Sequence, residues 1–395
     1  MTAPAVTRLP APSTSSAPRP TGFPSPPPSR PSARVVRGSD TQNQQDTRTR
    51  PGKPGQAGGA RRWWPVALKA GLGVGLTAAL LAWALPRAVG ASWSEIGSTV
   101  AAVRPWQLGV LAALWLLGLA VHTLALSAAL PGLSHWRSFL LNITGSFVSN
   151  LLPLGGAAGT VANYSMARRW GFKRVEFARW ALVTNVWDTL VKLALPAVAV
   201  GWLAAAAHGS DTLRAVALVS ALGLALTAAL VVALFRSDRL ARGLGRTAGR
   251  AARRLRRPVE PSDWGAGAVE MRRDTAGLVA TGWFRLTVGK LAYAAMQAVL
   301  LWTCLEVVGL SVHPAIVFAA YAVQNVLTLL VLTPGAAGFV EVGMAGVLVA
   351  MGAPAAGAAA AILLYRGFVF LMEIPVGGAL LAGWLAVSRT DRRAR

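Results

Sequence analysis

Apolar runs long enough to cross a bilayer alternate along this chain with short polar turns and arginine-rich stretches. The runs fall at Trp64 to Leu85, Trp106 to Leu130, Phe177 to Ala206, Leu213 to Phe235, Leu278 to Glu306 and Ala355 to Val387, and a helix needs roughly 20 residues to span the hydrocarbon core. The pattern predicts an all-α fold, a polytopic membrane helical bundle. The first run reads as a retained helix: Trp63 and Trp64 suit the interface, Arg61 and Arg62 hold its start on the cytoplasmic side, and Pro65 is tolerated in a first helical turn.

Two further segments do not read as ordinary spans, and they resemble each other. Each is a helix, a Gly/Pro-rich break and a short second arm. The first, a hairpin near 137–167, runs from Arg137 through NLLPLGGAAG, Asn150 to Gly159, toward Arg168 and Arg169. The second, near 314–352, runs from Pro314 through LTPGAAG, Leu332 to Gly338, toward Gly352. Loop charges place the ends of the first hairpin inside and those of the second outside, the polarity of an inverted repeat. Broken helices in such repeats expose amide and carbonyl groups near the bilayer midplane, where substrates and ions bind. Gly and Ala at these positions equally serve close helix packing with no transport role.

Charge sharpens the membrane reading. Only 14% of the 395 residues are charged, yet the formal net charge is +24. A soluble chain this basic would suggest nucleic acid. Here the arginines lie outside the apolar runs, where they orient the chain and meet anionic lipid at the cytoplasmic face, so no nucleic-acid partner is expected. The basic loop 236–275, the stretch Arg168 to Arg174 and the tail 389–395 all read as cytoplasmic, with both termini inside the cell membrane. Residues 1–62, rich in Pro, Ser, Thr, Gly and Arg with acids only at Asp40 and Asp46, are expected to be a disordered cytoplasmic tail without a cleavable signal. Cys304, the single cysteine, rules out a disulfide framework. The histidines His122, His135, His208 and His313 lack metal-ligand spacing, and no cofactor is expected.

Charges inside the apolar runs are the candidate chemistry, because an ionisable group at bilayer depth costs several kcal/mol and marks a partner or a pathway. They are Asp188, Lys290, Glu341, Arg366 and Glu373. Each has a plain structural reading. Asp188 and Lys192 stand i, i+4 with the acid first, the favourable order for an intrahelical pair. Arg366 and Glu373 are two turns apart and can lock helices together, and Lys290 lies deep enough to need a partner.

The pattern Pro334, Gly335, Gly338, Glu341, followed by Leu364, Tyr365 and Arg366, resembles the membrane domain of the lysylphosphatidylglycerol synthase family, also called flippase-like or YbhN-like integral membrane proteins. Asn150, Pro153 and Gly159 match the family's other hairpin motif, and Asp188 falls where the family tends to carry an acid. The resemblance covers roughly Val66 to Val387. The chain departs from it at Thr160 and Asn163, where relatives often carry an acid and an Arg, and the Asn there resembles an actinobacterial-type variant. The residues end at Arg395 without the large soluble synthase domain of aminoacylating relatives, so lipid aminoacylation by this polypeptide is not expected.

The resemblance implies translocation of a phospholipid or lipid-linked glycan between leaflets. The two hairpins would frame one polar groove, with Glu341 and Arg366 pairing or binding headgroup charges and Asn150, Asn163 and Asn325 supplying neutral hydrogen bonds. An enzyme is not expected, since the membrane acids are dispersed. The open alternatives are a non-transporting accessory subunit of a cell-envelope biosynthesis enzyme and a membrane-embedded transferase.

Overall fold

Apolar side chains all round a segment leave its backbone as the only polar group, and in hydrocarbon that backbone must be satisfied internally, which an α-helix does. In the computed structural model, which describes residues 75–151, 155–206, 211–254, 261–329 and 333–393, the runs are accordingly helical, and no strand occurs among the described residues. The chain is an all-α polytopic bundle. The tail 1–62, the start of the first run through residue 74, and Pro153 lie outside the described residues.

Helix α1 (75–89) contains a π-helical turn, Leu80–Ala84, and ends at Gly90 in the left-handed region. Helix α2 (Trp93–Ala101) starts at a capping box: Ser92 Oγ accepts from the Glu95 amide and Glu95 Oε2 accepts from the Ser92 amide at 2.8 Å. Next come α3 (Pro105–Ala129), α4 (His135–Leu151), α5 (Gly155–Arg169), α6 (Arg174–Ala206) and α7 (Asp211–Arg236). Helices α8 (Asp238–Arg254), α9 (Pro261–Val307), α10 (Pro314–Leu327) and α11 (Phe339–Ala350) follow. The last run divides into α12 (Ala355–Arg366), a π-helical turn Gly367–Leu371, and α13 (Glu373–Arg393).

Among the described residues, four segments are long and apolar enough to cross a membrane, Pro105–Ala129, Arg174–Ala205, Asp263–Val307 and Ala355–Val387, whereas the expected span 213–235 passes only together with α8, from which it is bent. The apolar run 278–306 is thus the second part of a 47-residue helix. Its polar first part is held by α8, which leaves α7 at a bend of 94°. Small residues make that contact: Ala241, Gly245 and Gly249 of α8 are buried, and Gly245 lies against the Trp264 carbonyl and Ala268. Leu240 and Leu244 are exposed on another face. At the bend, Asp238 accepts from Arg273 at 2.7 Å and pairs with Arg272.

The two interrupted segments are helix pairs. Helix α4 packs on α5, and α10 on α11. At 1.5 Å per residue, α10 and α11 are about 21 and 18 Å long, less than the roughly 30 Å core. Neither crosses it alone.

Two buried apolar clusters hold these pieces. The larger joins α1, α2, α3 and α9 to α10–α12, where Ala358, Ala359, Ala360, Ala361 and Ile362 have no exposed surface. The smaller, with Leu126, Leu141, Met166, Phe177, Trp180 and Leu286, lies beside the first hairpin. Helix α9 approaches α3 so closely that a methyl at Gly289 would meet the Ala125 amide at 2.6 Å.

Candidate functional site

Polar residues at helical spacing give the first hairpin and its neighbours a shared wet face. Asn142, Ser146 and Ser149 recur along α4, Gly156, Thr160 and Asn163 along α5, and Thr184, Asn185 and Asp188 along α6, so each set lies on one side of its helix. The three sides meet around a cavity of about 290 Å³, to which α3 contributes His122 and α9 contributes Lys290. The helices close on one another through missing side chains. A methyl at Gly145 would sit 2.6 Å from Asn163 Nδ2, and one at Gly159 would sit 2.7 Å from the Gly145 carbonyl oxygen.

At the back of the cavity is a charged relay. Lys290 Nζ donates to Asp188 Oδ1 at 2.6 Å and to His122 Nε2 at 3.0 Å. Lys290 is 2% exposed, whereas the Asp188 side chain keeps 46% of its surface toward the cavity. An ammonium only donates, so His122 accepts at Nε2 and its neutral ring carries the proton at Nδ1. That ring stacks on Tyr293 with centroids 4.2 Å apart. Asn163 Oδ1 is buried without a hydrogen-bond partner, and a side-chain hydrogen bond links Asn142 to the His122 ring.

The second hairpin has a different character. Gly335 and Gly338 take φ of 58° and 91°, and Ala336 between them takes 53°, so the PGAAG break is a left-handed turn that favours glycine. The turn is filled from inside. Arg366 donates from Nε to Glu341 Oε1 at 2.6 Å and from Nη2 to the Gly335 carbonyl at 3.1 Å, and Glu341 Oε2 accepts from the Gly338 amide at 2.6 Å. The guanidinium also lies over the Phe370 ring. Both charged side chains are buried, and their hydrogen-bonding capacity is largely spent on each other and on the turn.

These contacts decide where the residues singled out from the sequence go. Asn150, Gly159, Asn163 and Asp188 line the cavity. Gly335, Gly338, Glu341 and Arg366 form the knot at the second break and do not line this cavity. Pro334 opens a short 3-10 turn, Pro334–Ala336, at the same break. Tyr365 is fully buried and accepts from Gln324 Nε2 at 2.9 Å, while Asn325 donates to the Tyr321 carbonyl of its own helix. Two expected pairs are replaced. Asp188 bonds Lys290 of a neighbouring helix rather than Lys192, because its side chain faces the cavity. Glu373 accepts from Asn150 Nδ2 at 3.2 Å instead of pairing with Arg366, because the π turn between them rotates Glu373 off the arginine's face. That bond joins α13 to the first hairpin.

Sequence reasoning missed His122, Asn142, Ser146, Ser149, Thr184 and Asn185. The signal was present as polar stripes of helical period. A larger hollow of about 640 Å³ between α8 and α9, lined by Arg242, Arg246, Glu270, Arg273 and Asp274, contains none of the motif residues. Among the described residues, no three His, Cys, Asp or Glu converge on a possible metal position.

Spanning helices, two broken hairpins and a polar cavity opening among them define a polytopic membrane protein. The chain belongs to the lysylphosphatidylglycerol synthase TM region family, whose sequence model matches residues 70–377. No curated protein matches the chain.

Proposed function

We propose that this protein moves a lipid between leaflets, with the headgroup passing through the cavity of the first hairpin while the acyl chains stay in the bilayer. One observation carries the reading: a hollow lined by amides, hydroxyls and an Asp–Lys–His relay sits among helices whose other faces are apolar. The barrier to spontaneous flipping is removal of water from a polar headgroup, and groups that replace those hydrogen bonds lower it. Transport is favoured over catalysis because the membrane acids are committed to separate partners: Asp188 to Lys290, Glu341 to Arg366 and Glu373 to Asn150. The protein is placed in the cell membrane with both termini cytoplasmic. The arginines of α8 then face anionic lipid of the inner leaflet.

The test is leaflet exchange in vesicles containing the purified full chain, with labelled phosphatidylglycerol, phosphatidylethanolamine and monoglucosyl diacylglycerol. Wild type should accelerate at least one lipid, and Asn163→Leu should abolish the acceleration. Rates equal to those of empty vesicles for all three would overturn autonomous translocation and favour an accessory subunit of a cell-envelope biosynthesis enzyme.

A further inference from the structure

Asp188 and Glu341 each have a cation within bonding distance, Lys290 and Arg366. Glu373 differs. It is 6% exposed near the middle of the span Ala355–Val387, and among the described residues no Lys, Arg or His forms an ion pair with it. Its Oε2 accepts from Asn150 Nδ2 at 3.2 Å, and Ser146, one turn earlier on α4, also hydrogen-bonds to the carboxyl. Both partners are neutral.

Packing keeps this carboxyl dry. One turn further along α13, a methyl at Gly377 would meet the Ile143 carbonyl oxygen at 2.5 Å, so the backbones of α13 and α4 touch beside it. The surrounding titratable groups are already engaged. Arg366 is spent on Glu341 and the Gly335 carbonyl, and Lys290 on Asp188 and His122. Tyr293 of α9, near enough to interact with the carboxyl, is a neutral phenol stacked on His122.

A carboxylate in such a place has no counter-charge, whereas the neutral acid needs none. The two partners suit both forms. Asn150 donates to a carboxyl oxygen in either, while a serine hydroxyl accepts from the acid O–H and donates to the carboxylate. Asn150 and Ser146 also line the first-hairpin cavity, so the carboxyl is one side chain away from it. We infer that Glu373 is a proton-binding site opening onto that cavity, where one proton is taken up or released with each lipid that passes. On release the O–H bond of Glu373 breaks and the proton passes to water in the cavity. The carboxylate is then held by Asn150 and Ser146 until a proton returns. Coupling rests on the translocation reading, but the proton itself is measurable without transport.

The first measurement is a pH-difference infrared spectrum of the full chain in dodecyl maltoside, a detergent without carbonyls. Between neutral and alkaline pH ordinary carboxyls are already ionised, so wild type should lose a carboxylic-acid carbonyl band that is absent from Glu373→Gln. Glu373→Asp, the second variant should Glu373→Gln fold poorly, should move that band. The second measurement imposes a difference of one pH unit across vesicles holding trace labelled phosphatidylglycerol, phosphatidylethanolamine or monoglucosyl diacylglycerol, with empty vesicles as control. Wild type should drive a transported lipid toward one leaflet by up to about tenfold for one proton per lipid, and Glu373→Gln should leave it evenly spread. Identical spectra for wild type and Glu373→Gln overturn the site. Exchange in wild type that ignores the gradient overturns the coupling and leaves translocation standing, whereas the band without any exchange keeps the proton site and removes translocation.

Discussion

The two broken hairpins share a sequence plan and do opposite things with it. The second closes on itself: glycines shape a turn, and Glu341 and Arg366 fill it from within. The first stays open, its polar side chains lining a cavity. The stronger charges therefore build the frame, and the weaker, neutral groups leave room for a ligand. A buried charge invites assignment as a binding group, but a charge already saturated has little to offer a substrate.

Breaking the closed hairpin should have the largest effect. Arg366→Gln strands Glu341 at 3% exposure, and loss of one partner of a buried pair costs about 3–5 kcal/mol. The expected outcome is a large fall in the unfolding midpoint, or no recoverable protein. The double change Glu341→Leu, Arg366→Met should cost less than the two single changes together, and an additive result would show that the two side chains act independently.

Backbone shape comes next. Gly338→Ala places a methyl at φ 91° against the Leu80 side chain and should cost about 1–2 kcal/mol or more. Gly156→Ala, in open space at the mouth of the first cavity, should be neutral or mildly stabilising by the same thermal assay. The contrast fails if both cost alike.

The open hairpin should respond in reverse. Asn163 Oδ1 is buried without a partner, a condition that costs about 1–3 kcal/mol, so Asn163→Leu should leave stability unchanged or raise it while lipid exchange is lost. A drop in stability as large as that of Arg366→Gln would make the first hairpin a lock as well.

The smallest effect lies outside the membrane. Hydrogen bonding from Arg273, together with the charge of Arg272, holds the Asp238 carboxyl below the usual aspartate range. A lowered value means the contact is intact at neutral pH and is lost as pH falls through the folded-state value. A spin-label pair at Thr247 and Gly267 should therefore report separation of α8 from α9 only under acid, and Asp238→Asn should separate them at neutral pH.

Much of this was legible in the sequence. Run length located four of the six expected spans, those at 106–130, 177–206, 278–306 and 355–387, and the Pro334, Gly335, Gly338 and Glu341 spacing with Arg366 marked a structured break. What the spacing did not convey is that Arg366 reaches back to Gly335 and Glu341, since a motif names partners without saying whether they are satisfied by each other. Asp188 was visible as a membrane acid, but its partner Lys290 is 102 residues away, and only the packing of α6 against α9 brings the two together. The inserted residue of the π turn at Gly367–Leu371 redirected Glu373, and no α-helical count along the sequence reveals it. The stripe Asn142, Ser146, Ser149 was readable, yet serine and asparagine draw less attention than charge.

The length of α9 has a mechanical meaning. Lys290, at the cavity, and Trp264, against α8, lie about 39 Å apart along one continuous helix. Tilting such a rod by about 10° swings its far end by about 7 Å at that span. The same rod carries the cavity's ammonium and the contact for the arginine helix, so any tilt of α9 would couple the headgroup space to the position of α8.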